Sequence, residues 1–154
     1  MKAEYQRESV VTLWDEVLPL LHTHWDEIAH FKDIPLDPDI EGYNHLEELG
    51  MLRCYTARID GVLVGYAAFI VRHHPHYMGT LQAQEDVIFL MQEHRKGRVG
   101  LGLVMYCDNQ LFGEGVQIVG HHAKADHPAL STILKRSGYE LVDLIWLKRA
   151  PQDG

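Results

Sequence analysis

The sequence predicts an α+β domain: a mixed, mostly antiparallel central sheet with helices on both faces. Three observations carry this. The first fifty residues place apolar side chains at helical spacing. From Leu52 the pattern changes to that of strands, and Asp60-Gly61 stands between two such runs as a hairpin signal. A further strand then leads through a glycine-bearing loop to a helix, a strand and another helix, the order of a βαβ unit.

In chain order, Glu8 to about Phe31 predicts the first helix, with Val10, Leu13, Trp14, Val17, Leu21, Trp25 and Ile28 on its apolar stripe. Ser9 offers an N-cap, and Pro19 marks a point where the helix can break into two pieces. "KDIPLDPDIEGY" combines two prolines with four acids and predicts a turn-rich loop. Asp39 to Leu49 follows as a short helix ended by Gly50. Leu52–Ile59 and Val62–Arg72 form the hairpin strands, and "HHPHYMGTLQAQ" is read as a loop or irregular edge. Glu85–Met91 is apolar on both faces for several residues, which predicts a central strand. Val99–Phe112 is helical and "GEG" ends it. Val116–His122 is a strand, and His127–Ser137 is a helix with Pro128 in its first turn and Gly138 past its end. "YELVDLIWLKR" is the final strand, with a bend.

A chain of 154 residues fits one domain, residues 1–154, with a core that needs neither disulfide nor metal. Its formal charge of −8 argues against nucleic acid as a partner and suits a cationic or neutral substrate. Cys54 and Cys107 match no metal spacing and fit a reducing compartment. "MKAEYQRESVV" lacks a signal-peptide core, and no apolar run has the length of a membrane span, so a cytoplasmic protein is expected. The eleven histidines include three groups: His22 and His24; His73, His74 and His76; His121 and His122. The first pair shares no helix face, the second group falls in a loop, and the third points to opposite faces of a strand. No metal site is therefore predicted, although one of His121 and His122 can line a gap at the strand's C-terminal end. Trp14, Trp25 and Trp146 are assigned to packing.

The segment "EHRKGRVGLGLV", Glu93 to Val104, lies between a buried strand and a helix. The first backbone N–H groups of a helix have no internal partner, and its dipole adds positive charge there. Small residues allow close backbone approach. Arg95, Lys96 and Arg98 add three positive charges to an acidic chain. A basic loop that merely ends a strand has the same composition, and a glycine loop alone is a weak signal.

In its setting, this segment resembles the acetyl-CoA loop of the GNAT superfamily of N-acetyltransferases, Arg/Gln-x-x-Gly-x-Gly/Ala. Arg95 matches the first position and Gly100 the last, while Arg98 replaces the middle glycine. As a pattern of elements the resemblance runs from about Leu52 to Arg149, and "ILKRSGYELVD" resembles the family's closing helix and exit. More narrowly, "HWDEIAHFKDIPLDPD" with "HRKGRVGL" resembles uncharacterised acetyltransferase-like proteins of bacteriophages.

The resemblance implies a three-layer GNAT-like domain: substrate-side helices in residues 1–50, core sheet in 52–122 with the acetyl-CoA loop at 93–100, and the last helix and strand in 123–150. It implies acetyl-CoA as the cofactor, in a gap beside Ile88, Phe89, Leu90 and Met91. The pyrophosphate would be held by Arg95, Lys96, Gly97, Arg98, Val99, Gly100 and Leu101, and Asp126 or His127 replaces the family's asparagine near the start of the last helix. An amine then attacks the thioester directly in a ternary complex. Glu85 and Asp86 are the base candidates. Period-2 parity puts Asp86 on the face of Ile88 and Leu90, unless a bulge intervenes. The family's tyrosine acid falls on Leu134, which leaves Tyr139 as the nearest phenol, at a position where the family has a packing aromatic. The missing tyrosine keeps a second expectation open, a catalytically silent acyl-CoA-binding or regulatory protein. Small amines, protein N-termini, lysines and aminoacyl-tRNA remain open as acceptors, and the fold often forms homodimers through edge or terminal strands.

Overall fold

The structure is a computed structural model and describes residues 2–153. Strand β1 (Ala3–Arg7) leads into helix α1 (Val10–Ile28) and helix α2 (Ile40–Glu48). Strands β2 (Leu52–Ile59), β3 (Val62–His74) and β4 (Tyr77–Leu90) follow as a meander. A short 3-10 turn (Gln92–His94) leads to α3 (Val99–Gly113), β5 (Ile118–Gly120) and α4 (Ala129–Arg136). The sheet order is β1-β2-β3-β4-β5, antiparallel except where β4 meets β5. The expected mixed sheet is therefore present.

The sheet is packed on both faces. On one, Tyr55, Ala57, Phe69, Val71 and Ala83 bury against Leu103, Cys107 and Leu111 of α3. On the other, Cys54, Tyr66, Ala68 and Phe89 bury against Val10, Leu13 and Val17 of α1, with Tyr43 and Leu46 of α2 beside them. The asymmetry follows from the period-2 alternation of β2 and β3, whose neighbouring residues serve opposite layers.

Several expectations are corrected. Helix α1 continues through Pro19. That residue is exposed, so the carbonyl that loses its N–H partner faces water. Ser9 is the N-cap residue, but its side chain caps nothing in its own helix. Glu47 of α2 does that work, accepting from Val10 N–H at 3.0 Å and from the Ser9 hydroxyl at 2.7 Å. Strand β1, too short and polar to stand out in sequence, pairs antiparallel with β2. The supposed loop His73–Gln84 is instead the outer half of a long hairpin turning at Pro75-His76. There Pro75 sits where no ladder N–H is needed. The strand expected over Val116–His122 shortens to Ile118–Gly120. The expected final strand is not found among the described residues: residues 139–149 have no regular secondary structure and pair with no strand. Trp146, assigned to packing, is 87% exposed.

Candidate active site

Strands β4 and β5 pair only over Gln82–Gln84 and Ile118–Gly120. Beyond Gln84 the two diverge, so the last residues of β4 have an edge without a neighbour from β5. Backbone alternation sends the N–H and C=O groups of Ile88 and Leu90 to that edge, because Met91 N–H turns the other way to bond Val64 O at 2.9 Å.

A β-bulge lies at the point of divergence. Ala68 pairs with Val87 and Phe69 with Glu85, which leaves Asp86 as the extra residue. Side-chain parity reverses across it: Ala83 before the bulge and Ile88 and Leu90 after it all contribute to the α3-side core. Glu85 turns to that side and is 4% exposed, with Oε1 3.7 Å from Nδ1 of His121. The His121 ring stands edge-on to Phe69 and Tyr139, and neither ring nitrogen has a hydrogen-bond partner. Asp86 turns the opposite way, to α2, where Oδ2 accepts the Tyr43 hydroxyl at 2.7 Å. The uninterrupted-parity expectation, Asp86 with Ile88 and Leu90, is thus inverted. The phenol of Tyr43 is pushed well above its usual range by burial and by the Asp86 carboxylate.

The divergence opens a cavity of about 960 Å³. Ile88, Phe89, Leu90, Arg95, Lys96, Gly97, Arg98, Gly100, Leu101 and His127 line it, together with Glu85 and Asp86. Met91 and Val99 do not: Met91 packs on the α1 side, and Val99 gives its carbonyl to the Tyr5 hydroxyl at 3.0 Å. The first ladder bond of α3 runs from Gly102 N–H to Arg98 O, so the N–H groups of Val99, Gly100 and Leu101 precede the ladder. At Gly100 a Cβ would lie 3.0 Å from Ile133 Cδ1 and 3.5 Å from Leu90 Cδ2, so a glycine lets α4 and β4 close on the helix start.

Arg95 does not project freely into this space. Its guanidinium is bonded to both carboxylate oxygens of Glu27, and its Nε donates to Leu90 O at 2.7 Å. One backbone acceptor beside the gap is therefore already used. Among the described residues, uncommitted positive charge comes from Lys96, Arg98, Lys124 and Arg136, the last two not assigned to the site by the sequence reading. His24 also lines the cavity; it stacks on Phe89 with centroids 4.7 Å apart and meets the Tyr66 hydroxyl at 3.2 Å. Burial lowers its pKa to about 4, so it is neutral at pH 7. His122, also on the lining, bonds the Gln84 side chain, whereas its neighbour His121 is turned inward.

Tyr139 is not part of the lining. Its hydroxyl donates to Asp108 of α3 at 2.5 Å, and burial with that carboxylate raises its pKa well above the ordinary range. Leu134 is buried.

A second cavity of about 870 Å³ adjoins the first, and Asp86, Val87, His24, Ile28 and Lys124 belong to both walls. Its remaining lining is largely apolar, including Trp25, Phe31, Ile34 and Leu46, with Asp37 and Asp39 among the few charges. Among the described residues, no three His, Cys, Asp or Glu side chains converge as a metal set.

Residues 14–139 match the family model of the Acetyltransferase (GNAT) family. The chain belongs to the GNAT family. No curated protein sequence matches it. Solved GNAT-fold structures resemble it over nearly its whole length. A ribosomal-protein-alanine N-acetyltransferase from Brucella melitensis biovar Abortus 2308 superposes with a TM-score of 0.74 at 17% identity, covering 97% of this chain and 100% of that one. A predicted acetyltransferase with acetyl-CoA from Clostridium acetobutylicum gives 0.72 at 13%, covering 97% and 96%. An aminoglycoside acetyltransferase from an uncultured soil metagenomic sample, in complex with sisomicin, gives 0.70 at 14%, covering 96% and 97%.

GNAT acetyltransferases use acetyl-CoA. The residues of this GNAT chain fit such a ligand. The open edge of Ile88 and Leu90 offers backbone partners for an amide-bearing arm, and the unladdered N–H groups at the α3 start suit a phosphate. Lys96, Arg98, Lys124 and Arg136 supply countercharge. No helix among the described residues is long and apolar enough to cross a membrane.

Proposed function

We propose that the chain is an N-acetyltransferase that moves the acetyl group of acetyl-CoA to a primary amine by direct attack in a ternary complex. The observation that carries this is the position of Asp86, whose residue borders both cavities: the one that fits acetyl-CoA and the one beside it. An amine entering from the second cavity meets a carboxylate where it must lose a proton. Asp86 takes that proton on the oxygen that Tyr43 leaves free, and the amine nitrogen bonds the acetyl carbon as the C–S bond breaks. The departing thiolate is protonated by water, since Leu134 carries no proton and Tyr139 is committed to Asp108. Glu85 is the alternative base, held on the cofactor side near His121. The pyrophosphate is assigned to the α3 start with Lys96 and Arg98, and Arg95 serves as their brace.

The apolar second cavity, with few carboxylates, favours an amine cation on an apolar body over a polyhydroxylated polyamine. Calorimetry with acetyl-CoA tests the cofactor, and a thiol-release assay across aralkylamines, aminoglycosides and peptide N-termini tests the acceptor. No acetyl-CoA binding at high micromolar concentration overturns the reading. A second reading, a silent acyl-CoA-binding regulator, draws support from the absence of a cavity-lining tyrosine at the acid position. It predicts acetyl-CoA binding with no thiol release from any amine.

A further inference from the structure

Acetyl transfer places negative charge on an atom that no side chain has yet been given. As the amine nitrogen bonds the acetyl carbon, the carbonyl oxygen takes up charge, and it returns that charge when the C–S bond breaks. Asp86 cannot serve this oxygen, because a carboxylate only accepts and repels a second anion. The reacting acetyl stands where the two cavities meet, and His24, Ile28, Asp86, Val87 and Lys124 border both. Ile28 and Val87 have apolar side chains. Lys124 carries its charge on a flexible, strongly hydrated stem.

His24 is held in place and its tautomer is determined. Its ring stacks on Phe89 and lies at an angle to Tyr66, with centroids 6.2 Å apart. Tyr66 is 3% exposed, and among the described residues its hydroxyl meets only His24 Nδ1. Were Nδ1–H the donor, the phenol proton would be buried without an acceptor. The hydroxyl therefore donates, Nδ1 keeps its lone pair, and the neutral ring carries its proton on Nε2. Nε2 has no partner among the described residues, and unlike both nitrogens of His121 it is not sealed from solvent, so its N–H opens on the cavity. Burial keeps the ring uncharged at pH 7, as suits a donor that does not give up its proton.

We propose that His24 is a further catalytic residue, resting on the acetyl-transfer reading above: its Nε2–H donates to the acetyl carbonyl oxygen and stabilises the charge developing there. Tyr66 is the positioning residue that fixes the tautomer. No proton changes hands at this contact; the amine proton still goes to Asp86.

The test uses His24→Phe, which keeps a ring on Phe89 without an N–H, and His24→Phe/Tyr66→Phe, which also removes the unpaired phenol. Circular dichroism checks both folds. Expected are a kcat about 100-fold lower in each, an acetyl-CoA Kd within roughly threefold of wild type, and partial recovery in His24→Gln, whose amide offers an N–H. Infrared spectra of bound acetyl-CoA, isotope-labelled at the carbonyl, are expected to show a lower stretch in wild type than in the double variant. Nitrogen NMR is expected to find the His24 proton on Nε2 in wild type and shared between the two nitrogens in Tyr66→Phe. A stretch that does not differ, a wild-type proton on Nδ1, or a double-variant kcat within roughly threefold of wild type overturns the proposal. The infrared comparison needs no acceptor, so it separates the two readings. Acetyl-CoA bound with an unchanged stretch removes only the His24 contact, whereas no acetyl-CoA binding, or a lowered stretch with no thiol release from any amine, removes the acetyl-transfer reading and the catalytic role with it.

Discussion

Arg95 and Glu27 face each other through two parallel charge-assisted bonds, Nη1 to Oε1 at 2.5 Å and Nη2 to Oε2 at 2.8 Å. With Nε on the Leu90 carbonyl, the guanidinium ties α1 to the end of β4. The residue that opens the phosphate-loop pattern is therefore a strut under the loop.

Arg95→Gln and Glu27→Gln are each expected to lower the melting temperature by a few degrees. Both side chains are 31% exposed, so the pair is worth about 1 kcal/mol. The double variant is expected to be no worse than the sum of the singles, since they share one interaction. Calorimetry is expected to find the acetyl-CoA Kd of Arg95→Gln within roughly threefold of wild type, under 1 kcal/mol. A much larger loss would mean that the guanidinium itself meets the phosphates.

Arg98 lacks a cap bond and lines the same cavity. Arg98→Gly is expected to hold the Kd within a few-fold if backbone N–H groups dominate, and to flatten its salt dependence.

Asp86→Asn keeps a hydrogen-bond acceptor for Tyr43 but cannot take a proton. Amine acetylation is expected to fall by about 100-fold or more in kcat, with the acetyl-CoA Kd unchanged. Glu85→Gln in the same assay is expected to lose much less. If the order is reversed, Glu85 is the base.

Gly102→Ala tests packing behind the loop. A Cβ there would sit 2.2 Å from the Tyr5 hydroxyl and 2.7 Å from its ring carbon Cζ, so β1 must move and the bond to Val99 O is disturbed. An overpacking loss of about 1–3 kcal/mol is expected. Tyr5→Phe/Gly102→Ala, read by denaturant unfolding, is expected to recover part of it.

His24 gives a pH signature. Its pKa falls from 6.5 to about 4, chiefly through burial. The unfolded chain takes up this proton below pH 6.5 and the folded chain only near 4. The stability linked to His24 is thus complete above pH 6.5, declines as pH falls through the interval, and has no further slope from this group below about 4. Chemical denaturation at a series of pH values is expected to show that slope in wild type and to lose it in His24→Gln.

Legibility in the sequence followed the physics of each signal. Long periodic runs such as Val10–Ile28 and the Asp60-Gly61 turn were readable because local chemistry determines them. The outer hairpin was not, because strand pairing there holds together a polar segment whose composition resembles a loop. The loop 93–100 was found from its glycines and basic residues, and most of its residues reach the cavity. The engagement of Arg95 by Glu27 was invisible, since a contact between residues so far apart in the chain leaves no local trace. Lys124 and Arg136 were missed for a similar reason: isolated basic residues gain meaning only when the fold turns them to one space. Tyr139 was chosen by nearness in sequence, and α3 takes it with Asp108 instead.

The extra residue in β4 gives the strand two phases. Two acids adjacent in sequence, both on the wall of the first cavity, turn to opposite layers of the sheet, Glu85 buried on the α3 side and Asp86 exposed on the α2 side, and no rotamer change can exchange them. Deleting Asp86 would remove the extra residue together with its carboxylate: Ala83, Glu85, Ile88 and Leu90 would then share the α3 face by plain alternation, and only the acid that meets α2 would be lost.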